Sequence, residues 1–443
     1  MISILDLSCS FEELLEDLNA LGAKEQSKII LFIDALNEGN GKNIWNEHLA
    51  GIVEMIKKYS WLGLVASIRT EYVDNLFADK SSLKEKFVLV KHNGFSTVEH
   101  HAVKKYFDSY GINCMEVPLS EPEFRNPLFL RLFCEGFRNC TINLSQINFT
   151  DIYKNFLVAV NRKVAAKCNY SIRMNMVEKV IHRIVEYKYY HNLKNNFIPL
   201  NDACELVIEV EKKYNIHNSL LDELISNGVL TQNVGYDGNE YVFVTYEKLE
   251  DYLYAEMIAN DLNEKGIAIF KEKYSNLIRY GDVLEALAIV LPESSKYELF
   301  EIYEQNNSNI IKSFCRSLKW RKNTKLEKKV FDYINKVVLR TNIGFETFFE
   351  ELIFMSVKIG HDLNAEKTIK YILSFDMPDR DSIFIPLLDQ LYYEEGSPIN
   401  RLLEWCFVHI DKTNVLDDTV RLGASMLATF LITSNKSLRD KTT

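Results

Sequence analysis

The hydrophobic and polar positions change period along the chain, and those changes divide it. Near the amino end, Phe11, Leu14, Leu15, Leu18 and Leu21 recur at helical spacing behind Ser10 and Glu13, which stand in the order of a capping box. An apolar run, Ile29–Asp34, then predicts a buried strand. Leu49, Ile52, Val53 and Ile56 return to the helical period. Gly63–Ile68 predicts a second buried strand, and Phe87–Lys91 a third. Strands separated by helices imply parallel pairing, with helices on the sheet faces.

Beyond Thr97 the strand signal fades. Ala102, Val103, Tyr106, Phe107 and Tyr110 predict one helix. Asn126-Pro127 opens another, with asparagine as the cap and proline at the first helical position, where no backbone donor is needed. Leu128, Phe129, Leu132 and Phe133 make that helix strongly apolar. Val177, Val180, Ile181, Ile184 and Val185 mark a further helix, and Ser219–Asn227 another, ended by Gly228. Two strand-like runs, Val229–Val234 and Tyr241–Thr245, flank a hairpin turn at Tyr236-Asp237-Gly238-Asn239. Helices followed by a β-hairpin predict a winged helix. The remaining chain reads as helices broken at Leu291-Pro292, Met377-Pro378 and Ser397-Pro398, with no fixed repeat period but able to stack as a solenoid. The expected fold class is an α/β core followed by mostly α domains. Its boundaries fall at 1–95 for the core, 96–168 for a helical domain, 169–262 for the winged helix and 263–443 for an α-helical region leading into a repeat array.

At 443 residues the chain is too long for one core. No apolar stretch approaches a membrane span, and no basic region followed by an apolar core opens the chain, so a cytoplasmic protein without a membrane partner is expected. The eight cysteines lack CxxC spacing, which points to a reducing compartment and away from structural zinc. His100 and His101 are adjacent, and neighbours on a helix point about 100° apart, a poor arrangement for a shared metal. A net charge of −10 argues against nonspecific nucleic-acid binding, although a local basic patch can coexist with it.

The stretch Ile29–Gly39 carries the chemistry. An apolar run ending on Asp34 can deliver a carboxylate to a strand exit, where it suits Mg²⁺ directly or through water. Glu38, on the turn beyond, is placed to orient an attacking water. The second strand leads to Arg69, and ligands of open α/β sheets bind outside the carboxyl ends of the strands. If the two strands are neighbours, Asp34 and Arg69 converge on one crevice, the guanidinium facing a terminal phosphate. The competing reading is a core strand with an acidic turn and an arginine paired with Glu71 or solvent. A phosphate cradle of the form GxxxxGK[ST] occurs nowhere in the sequence. Only 28 residues precede Ile29, and one amphipathic helix fills most of them.

Four segments taken in order, Phe32-Ile-Asp-Ala-Leu-Asn-Glu-Gly39, Ser67-Ile-Arg-Thr-Glu-Tyr72, Asn126-Pro-Leu-Phe-Leu130 and Thr245-Tyr-Glu-Lys-Leu-Glu-Asp-Tyr-Leu253, resemble the antiviral STAND NTPases of the AVAST type. Thr433-Ser-Asn-Lys-Ser-Leu-Arg-Asp440 resembles a stretch those proteins carry after the NTPase module. The resemblance implies a partial NACHT-like P-loop NTPase core, a helical domain, a winged helix and helical repeats that sense a phage protein. It implies ATP and Mg²⁺ as cofactors, and a homo-oligomer that switches on an attached effector. Carried over by position, Asp34 matches the Walker B magnesium aspartate, Glu38 the hydrolytic glutamate and Arg69 the sensor arginine. Pro127 matches the proline that packs near adenine, and Tyr246 and Glu247 fall where the winged helix closes on the nucleotide. The Walker A loop, a preceding effector and most of the repeat array are missing from the pattern, so the chain is expected to be part of a longer or split protein.

Two other readings stay open. One is a non-catalytic scaffold that keeps the fold without turning over nucleotide. The other is a winged-helix DNA-binding regulator, against which stand Asp222 and Glu223 and the lack of any lysine or arginine in Ser219–Asn227.

Overall fold

The structure, a computed structural model, describes residues 10–34, 36, 41–68, 85–92, 94–95, 98–115, 122–144, 147–191, 197–234, 239–279, 281–322, 324–394, 396–407 and 415–443. In chain order its elements begin with α1 (Phe11–Glu25), β1 (Ile29–Ile33), α2 (Gly41–Lys57), β2 (Leu62–Ala66), α3 (Glu99–Tyr110), β3 (Asn113–Met115), α4 (Pro127–Gly136), β4 (Thr141–Asn143) and α5 (Phe149–Cys168). There follow α6 (Met176–Tyr190), β5 (Ile198–Pro199), α7 (Leu200–Tyr214), α8 (Leu220–Ser226), β6 (Leu230–Val234), β7 (Glu240–Val244) and α9 (Glu247–Lys265). The rest is helical: α10 (Ile267–Tyr274), α11 (Gly281–Ser294), α12 (Ser308–Ser317), α13 (Lys328–Lys336), α14 (Asn342–Ser356), α15 (Ala365–Ile372), α16 (Met377–Tyr393), α17 (Pro398–Phe407), α18 (Asp417–Phe430) and α19 (Lys436–Thr442). The molecule is thus mostly helical, with small sheets. No helix among the described residues is long and apolar enough to cross a membrane.

The chain divides into two compact units. One comprises Met1–His92, Leu193–Ile208 and Leu230–Phe243; the other comprises Asn93–Asn192, Glu209–Val229 and Val244–Thr443.

In the first unit, the predicted capping box forms. Ser10 Oγ accepts from the Glu13 backbone at 3.2 Å, and the Glu13 carboxylate accepts from the Ser10 backbone at 2.7 Å. β1 and β2 pair in parallel, Ile29 opposite Leu62 through Ile33 opposite Ala66, as the alternation of strand and helix predicts. α1 and α2 cover the same face of this pair. Leu15 and Ile56 pack with Leu62, and Trp45, Leu49 and Val53 pack against Ile33, Leu64 and Ala66. On the opposite face Ile30, Phe32 and Val65 are exposed. Ile30 lies across Gly63, where an added Cβ would sit 2.8 Å from Ile30 Cδ1. The expected third strand does not form: residues 88–91 make no ladder, and Val88 and Val90 are almost fully exposed while Phe87 alone joins the core. An apolar run without a pairing edge is not a strand. Elsewhere in this unit, β5 pairs antiparallel with β7, which neighbours β6. The turn expected at Tyr236–Gly238 lies outside the described residues, as do Glu38 and Arg69.

In the second unit, α4 starts as its sequence requires, with Asn126 Oδ1 accepting from Leu128 and Phe129 N–H at 2.9 and 3.3 Å. Around it Phe107, Phe124, Phe133 and Phe137 form a ring cluster, with centroids 4.7–5.8 Å apart in its main pairs. β3 and β4, three residues each, pair in parallel beside α3; strands this short leave no periodic signal. α11 is buried along most of its length and packs between α9 and α12, and α14 packs beside α12, α17 and α18.

The expected break at Leu291-Pro292 is instead the last turn of α11. Proline there removes the N–H that would bond the Ala288 carbonyl. Arg321 Nη2 donates to that carbonyl at 3.2 Å, so the helix continues without an orphaned acceptor. Arg321 is itself buried and held by Glu298 at 2.8 and 2.9 Å, with both side chains 5% exposed.

His361 is a buried neutral ring. Its Nδ1 accepts from the Leu363 N–H at 3.0 Å, and burial, reinforced by Lys358, holds its pKa down at about 4. A folded-state pKa below the unfolded value means the unfolded chain takes up the proton first as pH falls. Stability is therefore expected to drop by about 3 kcal/mol between about pH 7 and 4 through this group. His361→Gln should flatten that portion of the stability profile measured by urea unfolding; an unchanged slope would remove His361 as its source.

Candidate functional site

β1 and β2 deliver their carboxyl ends side by side. Ser67 N–H donates to the Ile33 carbonyl at 2.9 Å and Leu36 N–H donates to the Ser67 carbonyl at 2.8 Å, so the ladder carries the two exits into register. Asp34 stands exposed at the first exit, and the Ser67 hydroxyl at the second donates to its carboxylate. The two strands are neighbours, as the sequence reading supposes, while Arg69, which it placed at the second exit, lies outside the described residues. Ser67 is a member that reading did not single out; its only signal was a hydroxyl at the end of an apolar strand. A carboxylate and a hydroxyl are hard oxygen donors of the kind Mg²⁺ takes, so the residues present fit that ion. No group of three or more metal-ligating side chains occurs among the described residues.

Pro127, Tyr246 and Glu247 belong to the other unit, and there the structure relates them. Pro127 is the first residue of α4. The loop before it approaches closely: Phe95 N–H donates to the Arg125 carbonyl at 2.8 Å, and Gly94, at φ +61°, has that carbonyl where a Cβ would be, 2.1 Å away. Only glycine fits there. Tyr246 is the N-cap residue of α9, its ring edge-on to Phe156 with centroids 5.7 Å apart. Burial raises its hydroxyl pKa, with Arg131, one turn along α4 from Pro127, pulling the other way.

Glu247 and Lys248 open α9. Lys248 donates to Glu123 at 3.2 Å, tying this turn to the short helical turn just before Pro127. Burial pushes the Glu123 pKa up, but Lys248 and Lys319 outweigh it and hold it at about 2. One turn along α9, burial beside Asp282, Glu250 and Glu247 lifts Asp251 to about 8. Tyr153 Oη and Trp320 Nε1, both fully buried, have no hydrogen-bond partner among the described residues. Burial also raises Glu351, to about 7, against the pull of Lys319 at 3.2 Å. Glu123 and Lys248 are 125 residues apart, so no local pattern could have paired them.

No protein-family model matches this chain, and no curated protein matches it.

Proposed function

We propose that this chain is the regulatory switch module of an antiviral STAND NTPase. In this reading it is a nucleotide-dependent element whose output is homo-oligomeric assembly on sensing a phage protein. What supports the reading is the pair of adjacent parallel strands whose exits carry Asp34 and Ser67. The order of elements is compatible with it only coarsely: helices, a pair of strands at 230–244 and further helices. Asp34, with Ser67 beside it, would hold Mg²⁺, and Arg69 would meet the terminal phosphate. Mg²⁺ supplies neutralisation of phosphate charge. Glu38 would orient the attacking water; by the resemblance, Pro127 would pack near adenine, and Tyr246 and Glu247 would act where the winged helix closes on the nucleotide. Gain and loss of the terminal phosphate then bias a two-state element.

The lack of any GxxxxGK[ST] favours a second reading, a scaffold that keeps the fold without turnover. ATP turnover separates them, measured on the protein with any in-frame residues upstream of Met1 included. The switch reading expects hydrolysis that Glu38→Gln stops while ATP binding is retained. No turnover in the unaltered protein favours the scaffold, and undiminished turnover in the variant removes Glu38 from the chemistry. The DNA-binding reading gains nothing from α8, whose first turn is acidic and whose Glu223 is paired with Lys167 at 2.9 Å.

A further inference from the structure

In the second unit, α13, α14 and α15 line a half-open pocket of about 350 Å³. Phe331, Leu339, Phe348 and Tyr371 are among the side chains that line it, with Asn335, Asp362, Lys367 and Thr368 as polar members. That volume lies at the small end of the ~300–1,000 Å³ range of ligand pockets, room for one large side chain.

The segment leading into this pocket is rich in cations: residues 318–340 carry eight lysines and arginines against two acids, in a chain of net charge −10. Five of the eight, Lys319, Arg321, Lys325, Lys329 and Lys336, are paired with carboxylates. Four cations stand on or beside the segments that line the pocket. Lys367 lines it. The Lys325 side chain is 71% exposed and pairs at 3.2 Å with Asp362, which also accepts the Leu326 N–H at 3.0 Å. Lys328 is exposed one turn before Phe331 and shares its face of α13. Arg340 is exposed next to Leu339, close enough to Tyr371 for its charge to be felt at that hydroxyl. Asp362, the one carboxylate in the lining, is already committed to Lys325 and a backbone donor. Exposed Lys328, Arg340 and Lys367 thus stand beside a mostly apolar pocket, while the neighbouring acids Glu327, Asp332 and Glu366 are paired with Lys329, Lys336 and Arg421.

We propose that this cavity is the docking site for an acidic segment of another protein, one that carries a bulky apolar side chain between carboxylates. The apolar side chain fills the pocket as an anchor, and the carboxylates meet Lys328, Arg340 and Lys367, setting orientation and speeding encounter. A mostly apolar pocket suits a segment that carries a bulky apolar side chain better than it suits a nucleic-acid backbone. None of these residues belongs to the strand-exit crevice, so the site stands apart from the nucleotide reading.

The test is fluorescence anisotropy on the full chain with four labelled probes of equal length. These are a glutamate-rich peptide with a central Phe-Leu, the same peptide with Ala-Ala, the same with lysine for glutamate, and oligouridylate. The glutamate-rich Phe-Leu peptide is expected to bind, more weakly as salt rises. Its affinity should fall about tenfold or more with Ala-Ala, the loss expected when a large apolar side chain is no longer buried. A similar loss is expected from Leu339→Trp, which fills the cavity, and from the combined Lys328→Glu, Arg340→Glu and Lys367→Glu variant. The last three side chains are exposed, so that variant keeps its fold even if Leu339→Trp does not. Failure of the Phe-Leu peptide to bind, binding indifferent to the anchor or to the charge reversal, or tighter binding of oligouridylate would each overturn the proposal.

Discussion

Asp34→Ala is expected to lower ATP turnover about 100-fold or more in the protein that carries a complete phosphate site, leaving its thermal stability nearly unchanged. The two parts of that expectation have separate grounds. Asp34 is exposed, and its carboxylate accepts from the part-exposed Ser67 hydroxyl, so its loss should open little or no cavity. In the proposed site, however, its carboxylate holds the ion that neutralises the transferring phosphoryl, a contribution of several kcal/mol, and each 1.36 kcal/mol is tenfold in rate. A steady-state assay together with a thermal melt checks both. Turnover within a few-fold of the unaltered protein would remove Asp34 from the chemistry.

Glu298→Ala is expected to destabilise the second unit by about 3–5 kcal/mol, the cost of leaving a buried charge without its partner. Arg321 has three sets of acceptors: the Glu298 carboxylate, the Ser317 hydroxyl at 3.1 and 3.2 Å, and the Ala288 carbonyl that Pro292 leaves open. Removing the carboxylate strands the guanidinium beneath α11 and α12. The double variant Glu298→Leu with Arg321→Met should recover most of the loss, because an apolar pair in the place of a buried ion pair is often close to neutral. Urea unfolding of the single and double variants measures this. A single variant within about 1 kcal/mol of the unaltered protein would show that solvent reaches Arg321.

Where the fold was legible in the sequence, the signal was local. Ser10 with Glu13, Asn126 with Pro127, and Ser219 with Gly228 each mark a helix end through a hydrogen bond spanning a few residues, and each stands where expected. β1 and β2 were legible because two apolar runs of similar length alternate with helices, which admits parallel pairing and little else. What was not legible depends on distant partners. Val88 and Val90 resemble strand residues yet meet no ladder, and Pro292 breaks nothing because a guanidinium 29 residues later replaces the missing donor's role. The ties of α3 to α17, in which Arg401 and Arg125 both hold Glu99 at 2.5 and 3.0 Å, join residues from opposite ends of the unit and leave no pattern in either segment.

The candidate site divides in the same way. Asp34 was legible as the end of an apolar run, and its neighbour Ser67 only through pairing of the strands. The Glu123–Lys248 bridge, which ties the start of α9 to the turn before Pro127, required the fold.

The most direct test of the strand-exit crevice is electron paramagnetic resonance of Mn²⁺ in place of Mg²⁺, titrated with ATP into the protein with any in-frame residues upstream of Met1 included and into its Asp34→Ala variant. A broadened bound-ion signal that depends on ATP and disappears in Asp34→Ala is the predicted result. The same bound-ion signal in both proteins, or none in either, would contradict the account.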